Sequence, residues 1–357
     1  MNRFILVLLL FALVSCENDS EQGKYRTITK EDFKEISITS EKHFFEEVIN
    51  PSSIGLAQGK LLISEAWRVP EEFPRMHLIN SSNWTYDKPK GKHGQGPFEI
   101  TDAEVLYSPD ADSFWIYNMN RRKLAKFSIQ ESSLLATEDW KFPEPMMDLW
   151  FLEFGPNGNY LGVPRESEYK IQEFDSKGNL VANYGEFEIL EERPDLTKLQ
   201  ISLLMTGWFK GDPKRGLYVR ACLRTDLLEI FNYKTKEFIS ITGPDSTLPE
   251  FQYSESKFGG AMVFDRNVTY RYRDIAFTED YIFALYAGHG QLDYNETGIM
   301  AEQIWVFDHN GKPLWNLTLD RSIIQIVIND ETNEIYGLTT DEDPGIAVFA
   351  IPEELMD

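Results

Sequence analysis

Short strand-like segments separated by polar turns follow one another along most of the chain. Six turns contain Gly, Asn or Asp, and they occur at 57–59, 110–112, 156–158, 212–214, 278–280 and 330–333. Each is followed by a run of aromatic and aliphatic residues, at 61–63, 114–117, 160–163, 217–219, 281–284 and 335–338. The unit recurs roughly every 50 residues, and such a period with several short strands is typical of a β-propeller. We therefore predict an all-β fold with six blades.

The last of the six units is one strand short. A second turn occurs late in the other units, most clearly at 175–179 and 308–312, and it indicates a hairpin between a third and a fourth strand. In the sixth unit the sequence ends just after its third strand, 346–349. Residues 35–39 alternate between polar and apolar side chains, as a half-buried strand does. The prediction is a six-bladed β-propeller whose last blade is closed by an N-terminal strand, residues 35–39.

The first residues have the features of an export signal. Arg3 precedes an apolar run, 4–14, which is too short to span a bilayer because a spanning helix needs roughly 20 residues. The run ends in Leu-Val-Ser-Cys at 13–16, which resembles the lipobox of bacterial lipoproteins. This resemblance implies that Cys16 is acylated and held by outer-membrane lipid. We predict a lipoprotein signal peptide at 1–15, a lipidated flexible tether at 16–32, and the propeller at 33–357.

Composition and charge narrow the classes of partner. The chain has 58 Asp and Glu against 35 Lys and Arg, a formal charge of -23, which argues against nucleic acid as a ligand. Acidic residues directly after Cys16 favour display on the cell surface over the periplasmic side. The second cysteine, Cys222, has no partner for a disulfide once Cys16 is acylated, and we expect it to be a small buried side chain.

Three segments resemble the TolB-like six-bladed β-propeller lipoproteins. They are the glycine-rich segment 91–99 (GKHGQGPFE), the segment 270–286 (YRYRDIAFTEDYIFALY) and the segment 304–313 (IWVFDHNGKP). The first departs from the family pattern, because Phe98 follows Pro97 directly and a second glycine is absent. The resemblance covers nearly all of the mature chain, and it implies the fold and an extracytoplasmic location more than a chemistry.

Catalysis, metal binding and cofactor binding are not indicated by the sequence. The glycines of 91–96 lie between predicted strands and are followed by Pro97, whereas a phosphate cradle needs a strand before it and a helix after it. We interpret this segment as a loop between blades. The histidines are scattered, and no nucleophile has a general base in a favourable order. The sequence therefore predicts no cofactor and no metal, and it favours a binding protein over an enzyme.

Arginines gather where the loops after the second strands are predicted to lie. In a propeller these loops share one face with the connections between blades. The residues that we expect at this rim are Arg68, Arg121, Arg122, Arg165, Arg220, Arg224, Arg271, Arg273, Tyr286 and His289. Two long loops, 243–268 and 287–302, are expected to overhang the same opening. The simpler interpretation is that these arginines neutralise neighbouring carboxylates.

The function predicted from this pattern is binding of an extracytoplasmic ligand that is anionic, for example an acidic glycan. The residues predicted to bind it are Arg122, Arg165, Arg220, Arg273, Tyr272, Tyr286 and His289. Guanidinium groups bind carboxylates or sulfates, and tyrosines stack on sugar rings. Two alternatives remain open at this point: a lyase or lactonase-like hydrolase working at the central opening, and a protein-docking subunit of a surface complex.

Overall fold

The computed structural model describes residues 24–66, 68–106, 112–257 and 259–356. The predicted signal peptide and Cys16 lie outside these residues. The described chain is mostly β-strand, with two short α-helices, α1 (Lys198–Leu204) and α2 (Gln291–Thr297). Single 3-10 turns occur at Lys30–Asp32, Glu144–Met146, Pro156–Gly158 and Glu353–Leu355.

Six blades surround a central channel, and each contributes four antiparallel strands ordered from the channel outward. Blade one consists of β4 (Pro51–Ala57), β5 (Lys60–Glu65), β6 (Met76–Asn80) and β7 (Thr85–Lys90). Blade two consists of β8 (Glu104–Leu106), β9 (Ser113–Asn118), β10 (Lys123–Ser128) and β11 (Glu138–Lys141). Blade three consists of β12 (Leu149–Phe154), β13 (Tyr160–Pro164), β14 (Tyr169–Phe174) and β15 (Leu180–Glu186). Blade four is β16 (Gly207–Asp212), β17 (Leu217–Cys222), β18 (Leu227–Asn232) and β19 (Glu237–Thr242).

Blades five and six share one long strand, β25 (Pro313–Asn329), whose first half is the outer strand of blade five and whose second half is the inner strand of blade six. The remaining strands of blade five are β22 (Tyr272–Phe277), β23 (Tyr281–Tyr286) and β24 (Ala301–Asp308). Those of blade six are β26 (Glu334–Thr339), β27 (Ile346–Ala350) and β3 (Ser40–His43). All six second strands that the sequence predicted lie in β5, β9, β13, β17, β23 and β26. The prediction of a six-bladed propeller is confirmed.

The N-terminal segment closes the ring, but with a different strand from the predicted one. Strand β3 (Ser40–His43) is the fourth strand of blade six and pairs antiparallel with β27. The predicted closing strand 35–39 falls mostly in β2 (Lys34–Ile38), which pairs in parallel with the outer strand of blade five. Upstream, β1 (Tyr25–Thr27) pairs in parallel with β19 of blade four. The described structure therefore includes residues 24–32, which the sequence assigned to a flexible tether.

The hydrophobic core lies between the blades, because each inner blade surface packs on its neighbour. The second strands are consequently buried on both sides, and every residue of β17 is buried. Close packing of the inner strands requires a small residue at Gly55, where a Cβ atom would overlap the side chain of Val105 in blade two. Cys222 at the end of β17 is 1% exposed, and burial raises the pKa of its thiol to about 11, so it is a buried side chain as predicted.

The two faces of the ring differ in their connections. The face that we call the turn face carries the hairpins between first and second strands, such as 213–216 and 330–333. The opposite face, the loop face, carries the loops after the second strands and the connections between blades. On the loop face, helix α1 follows blade three, and the hairpin β20 (Phe251–Ser256) and β21 (Gly259–Phe264) precedes blade five. Helix α2 lies in the loop of blade five. The hairpin and helix α2 occupy the two long loops that the sequence placed over the opening, whereas helix α1 lies outside both.

Candidate functional site

The predicted rim residues lie on or near the loop face, but several of their side chains have structural roles. Arg122 donates through Nη1 to the hydroxyl of Tyr117 at 2.8 Å and to the carbonyl oxygen of Leu149, the first residue of blade three. It therefore fastens blade two to blade three. Arg165 is half-buried, with Nε 3.6 Å from Oδ1 of Asp148.

Arg220 does not reach the rim. Its side chain is 4% exposed and forms an ion pair with Glu229, which lies directly opposite it on β18. Lys170 of blade three contacts the same carboxylate at 2.5 Å. Because Arg220 is neutralised inside the blade, the prediction that it contacts a ligand is wrong, and the simpler interpretation of a carboxylate partner holds for this residue.

Tyr272 and Tyr286 are also part of the core. Tyr272 is 0% exposed, so it cannot stack on a sugar ring at the opening, and its predicted role is wrong. Tyr286 is 5% exposed, stacks on Trp305 at a centroid distance of 3.9 Å, and donates its hydroxyl to Asp226 at 3.0 Å. Arg271 pairs with Asp245 at 2.5 Å and approaches the same Asp226 at 3.5 Å.

His289 lies in the loop of blade five and is half-buried. Its backbone carbonyl oxygen accepts a hydrogen bond from the amide of Tyr270 at 2.9 Å. This bond ties the loop of blade five to the segment that enters the same blade. His289 therefore positions Tyr270, a residue of the cluster described next.

Two arginines of the loop face lie in a continuous series of aromatic contacts. The guanidinium carbon of Arg273 is 5.2 Å from the ring centroids of both Trp208 and Tyr270. That of Arg224 is 5.5 Å from Tyr270 and 4.3 Å from Phe264. We call these five side chains the arginine ladder. It runs from the inner strand of blade four to the hairpin β20–β21, and all five side chains are partly exposed.

The electrostatics of the ladder are unusual for so acidic a chain. Among the described residues, neither Arg224 nor Arg273 has a carboxylate within ion-pair distance, and Nε of Arg273 is buried with no hydrogen-bond acceptor. Burial lowers the pKa of both guanidinium groups, and their mutual repulsion lowers that of Arg273 further. Guanidinium groups stay charged in proteins. The ladder thus concentrates two positive charges whose N–H groups lack anionic acceptors.

The sequence pointed to part of this cluster. Arg224 and Arg273 were expected on the rim, and Tyr270 opens a segment quoted for the family resemblance. Trp208 and Phe264 were missed, because their contacts join blade four to an inserted hairpin. One sequence feature could have indicated the cluster. A large aromatic residue or an arginine occupies the second position of two inner strands, Trp208 in β16 and Arg273 in β22.

The glycine-rich loop is confirmed as a connection between blades, joining β7 to β8. It encloses its own carboxylate, because Glu99 accepts from the amide of Gly96 at 2.9 Å and from Lys92 at 2.7 Å. The Lys92 hydrogen bond, with that of the Gly96 amide, lowers the pKa of Glu99. A side chain at Gly94 would overlap this carboxylate. The glycines therefore make room for Glu99, and a phosphate would meet a negative charge there.

Two further observations concern membranes and metals. In the part of the chain that the structure describes, no helix combines the length and apolarity needed to cross a bilayer. Over the same residues, no three His, Cys, Asp or Glu side chains are arranged so that they could hold a metal ion together.

The fold is that of a six-bladed β-propeller whose ring is closed by an N-terminal strand. The sequence profile of the family described as TolB-like 6-blade propeller-like matches residues 33–331. The chain belongs to this family. A comparison with curated proteins finds no match.

Two solved structures are similar in fold. One is a protein of Bacteroides fragilis NCTC 9343 predicted to be exported, with 12% identity and a TM-score of 0.53 over 88% of this chain and 99% of the other. The second is a member of the DUF4221 family from Bacteroides vulgatus ATCC 8482, with 11% identity and a TM-score of 0.54 over 87% and 97% of the two chains. At these identities the similarity establishes the propeller fold.

Proposed function

We propose that this protein is an extracytoplasmic β-propeller lipoprotein that binds an anionic ligand on its loop face. The observation that carries the proposal is the arginine ladder. Arg220 and Arg271 show that arginines of this acidic chain are readily paired with carboxylates. Arg224 and Arg273 have no such partner among the described residues, so the terminal N–H groups of their guanidinium groups are available to the carboxylate or sulfate groups of a ligand.

The ligand class that fits best is an acidic glycan. Stacking on aromatic rings holds a guanidinium by its faces and leaves its N–H groups, which lie in its plane, directed outward. Trp208 and Phe264 at the two ends of the ladder are partly exposed and supply apolar surface of the kind that sugar rings contact. Carboxylate or sulfate groups on neighbouring sugars match two cationic groups that lie close together.

The test is titration of the purified full chain in detergent with a sulfated oligosaccharide and a polyuronate oligosaccharide at two salt concentrations. Affinity should fall as salt rises, because exposed charge pairs are screened. Arg224→Gln and Arg273→Gln should each weaken binding at least about tenfold, since a charge-assisted hydrogen bond contributes roughly 1.5–3 kcal/mol. Binding that is unchanged in the double variant would reject the site.

A matched control is Arg193→Gln. Arg193 also stacks on an aromatic ring of the same hairpin, 4.8 Å from the centroid of Phe251, but it is paired bidentately with Asp195 at 2.8 and 2.7 Å. Removing it changes the net charge by the same amount as removing Arg224. Equal losses in both variants would show that the ligand responds to overall charge and not to the ladder.

The lipid anchor at Cys16 is supported by the apolar run 4–14 and the Leu-Val-Ser-Cys sequence that ends it, and by the fold similarity to a protein predicted to be exported. The full chain expressed in a bacterium with a lipoprotein pathway should partition into the detergent phase. Cys16→Ala should move it to the aqueous phase, whereas Cys222→Ala, which changes a buried thiol, should leave partitioning unchanged. Equal partitioning of the wild type and Cys16→Ala would refute acylation.

A further inference from the structure

The central channel holds four ionisable side chains, each from the inner strand of a different blade. They are Glu104 on β8, Glu153 on β12, Lys210 on β16 and Asp274 on β22. Glu153 is 3% exposed and Asp274 is 1% exposed. The electrostatic influence of the other three groups on Glu153 shows that the cluster acts as one unit. It contains three carboxyl groups and one ammonium group.

The lysine is already engaged. Nζ of Lys210 lies 2.5 Å from Oε1 of Glu104, and the coulombic effect of the nearby carboxylates raises its pKa although burial opposes it. Glu153 and Asp274 form no ion pair with any residue that the structure describes, and they share the charge of Lys210 with Glu104. A buried carboxylate is stable only when it is paired or fully hydrogen-bonded.

Neither of these carboxyl groups is satisfied. Asp274 accepts one hydrogen bond, from the amide of Ile326 at 3.0 Å to Oδ2, while Oδ1 is buried with no donor. Glu153 has no hydrogen bond or ion pair with any residue that the structure describes. Burial raises the pKa of Glu153 to about 8 and that of Asp274 to about 6. The missing component is therefore a group that donates hydrogen bonds and carries positive charge.

A cavity of about 290 Å³ opens on the turn face and reaches Glu153 and Lys210 of this cluster, while Asp274 directly precedes Ile275, which also lines the cavity. Glu153 and Lys210 line its polar side, and apolar residues such as Val105 and Ile326 line the remainder. At its mouth Arg215 is paired with Asp212, while Asp330 also faces the opening. The volume suits a small molecule, since one water accounts for about 30 Å³ in the liquid.

We propose that the channel binds a small organic cation with a primary ammonium group, held by Glu153 and Asp274. An ammonium offers three donors on one charge, which matches two carboxyl groups on blades three and five that flank the Lys210 strand. A metal ion fits less well, because no three of the described carboxylates and histidines are arranged so that they could hold one together. This site is separate from the arginine ladder, since it opens on the opposite face.

The experiment is calorimetric titration of the full chain in detergent with putrescine at pH 7, with 1,4-butanediol as the neutral ligand of the same length. Putrescine should bind and the diol should not. Glu153→Gln and Asp274→Asn should each weaken putrescine binding at least tenfold. Binding of both ligands or of neither would overturn the proposal. A parallel titration in which calcium binds and putrescine does not would also overturn it.

Two controls separate a specific site from general attraction to an acidic protein. Glu173→Gln changes another buried glutamate, also 3% exposed, whose oxygens already accept from Tyr184, Tyr233 and Asn159. This variant should bind putrescine as the wild type does. Titrations in two buffers of different ionisation enthalpy should show that binding releases a proton from the wild type but not from Glu153→Gln. Equal proton release from both would exclude Glu153 from the site.

Discussion

Replacement of Glu153 by Gln tests the electrostatics of the channel without any ligand. The carboxyl group is buried beside Lys210, Glu104 and Asp274, and burial raises its pKa from 4.5 to about 8. Each tenfold change in proton affinity corresponds to about 1.4 kcal/mol, so the native state loses at most about 5 kcal/mol when this proton is removed. Gln has nearly the same shape and has no proton to lose.

The direction in which stability changes with pH follows from the number of protons that the folded and unfolded states bind. Between pH 4.5 and 8 the folded protein keeps the proton on Glu153 while the unfolded chain has released it. Stability is therefore fully present below about pH 4.5 and declines as the pH rises through 8. Asp274 and Asp226, whose pKa values burial raises to about 6, make the wild type and the variant decline in the same direction at lower pH. The difference between the two proteins reports the Glu153 carboxyl group together with its electrostatic coupling to Lys210, Glu104 and Asp274.

The assay is urea denaturation of the wild type and Glu153→Gln at pH 5, 7 and 9. We expect the free energy of unfolding of the variant to rise relative to that of the wild type by several kcal/mol between pH 5 and 9. Glu173→Gln should show no comparable trend over this range, because three hydrogen bonds lower the pKa of Glu173 although burial alone would raise it, so its carboxyl group is already ionised in the folded protein at pH 5. A stability difference between Glu153→Gln and wild type that does not change with pH would refute the reasoning.

Other contacts predict the effects of smaller changes on stability. Deleting 24–38 removes the strands that cover blades four and five and should lower the melting temperature, and deleting 24–43 should lower it further because blade six loses its fourth strand; equal melting temperatures would contradict this. Glu229→Gln leaves Arg220 buried without its partner and should cost about 3–5 kcal/mol in urea denaturation, and a cost near zero would contradict the pairing. Gly207→Ala places a methyl group against the backbone of β17 and should cost about 1–3 kcal/mol by the same measurement, whereas an unchanged midpoint would show that the strands separate easily.

The blade pattern could be predicted because it depends on local signals. Turn residues such as Asn157 and Gly158 adopt the positive φ values that their residue types favour, and the apolar runs after them become second strands. The closing strand could not be chosen locally, because 34–38 and 40–43 both form strands. Their partners, β25 and β27, lie far away in the sequence.

The sequence predicted on which face of the ring the arginines lie, but it did not predict which carboxylates they pair with. The pairing of Arg220 with Glu229 was available from the sequence, since the two residues face each other across a short hairpin. The pairing of Arg271 with Asp245 was not, because it depends on the course of a long loop. The channel cluster also had an overlooked signal, because each of four inner strands carries at least one charged residue among mainly apolar ones.

The pairing of β1 with the outer strand of blade four determines where the proposed lipid anchor would join the ring. The nine residues from Cys16 to Tyr25 reach at most about 30 Å, so blade four is the part of the ring nearest to the lipid when Cys16 is acylated. In the proposed lipoprotein the lipid anchor is thus joined to the circumference of the ring and to neither of its faces. The proposed anchor itself would then cover neither the arginine ladder nor the mouth of the channel.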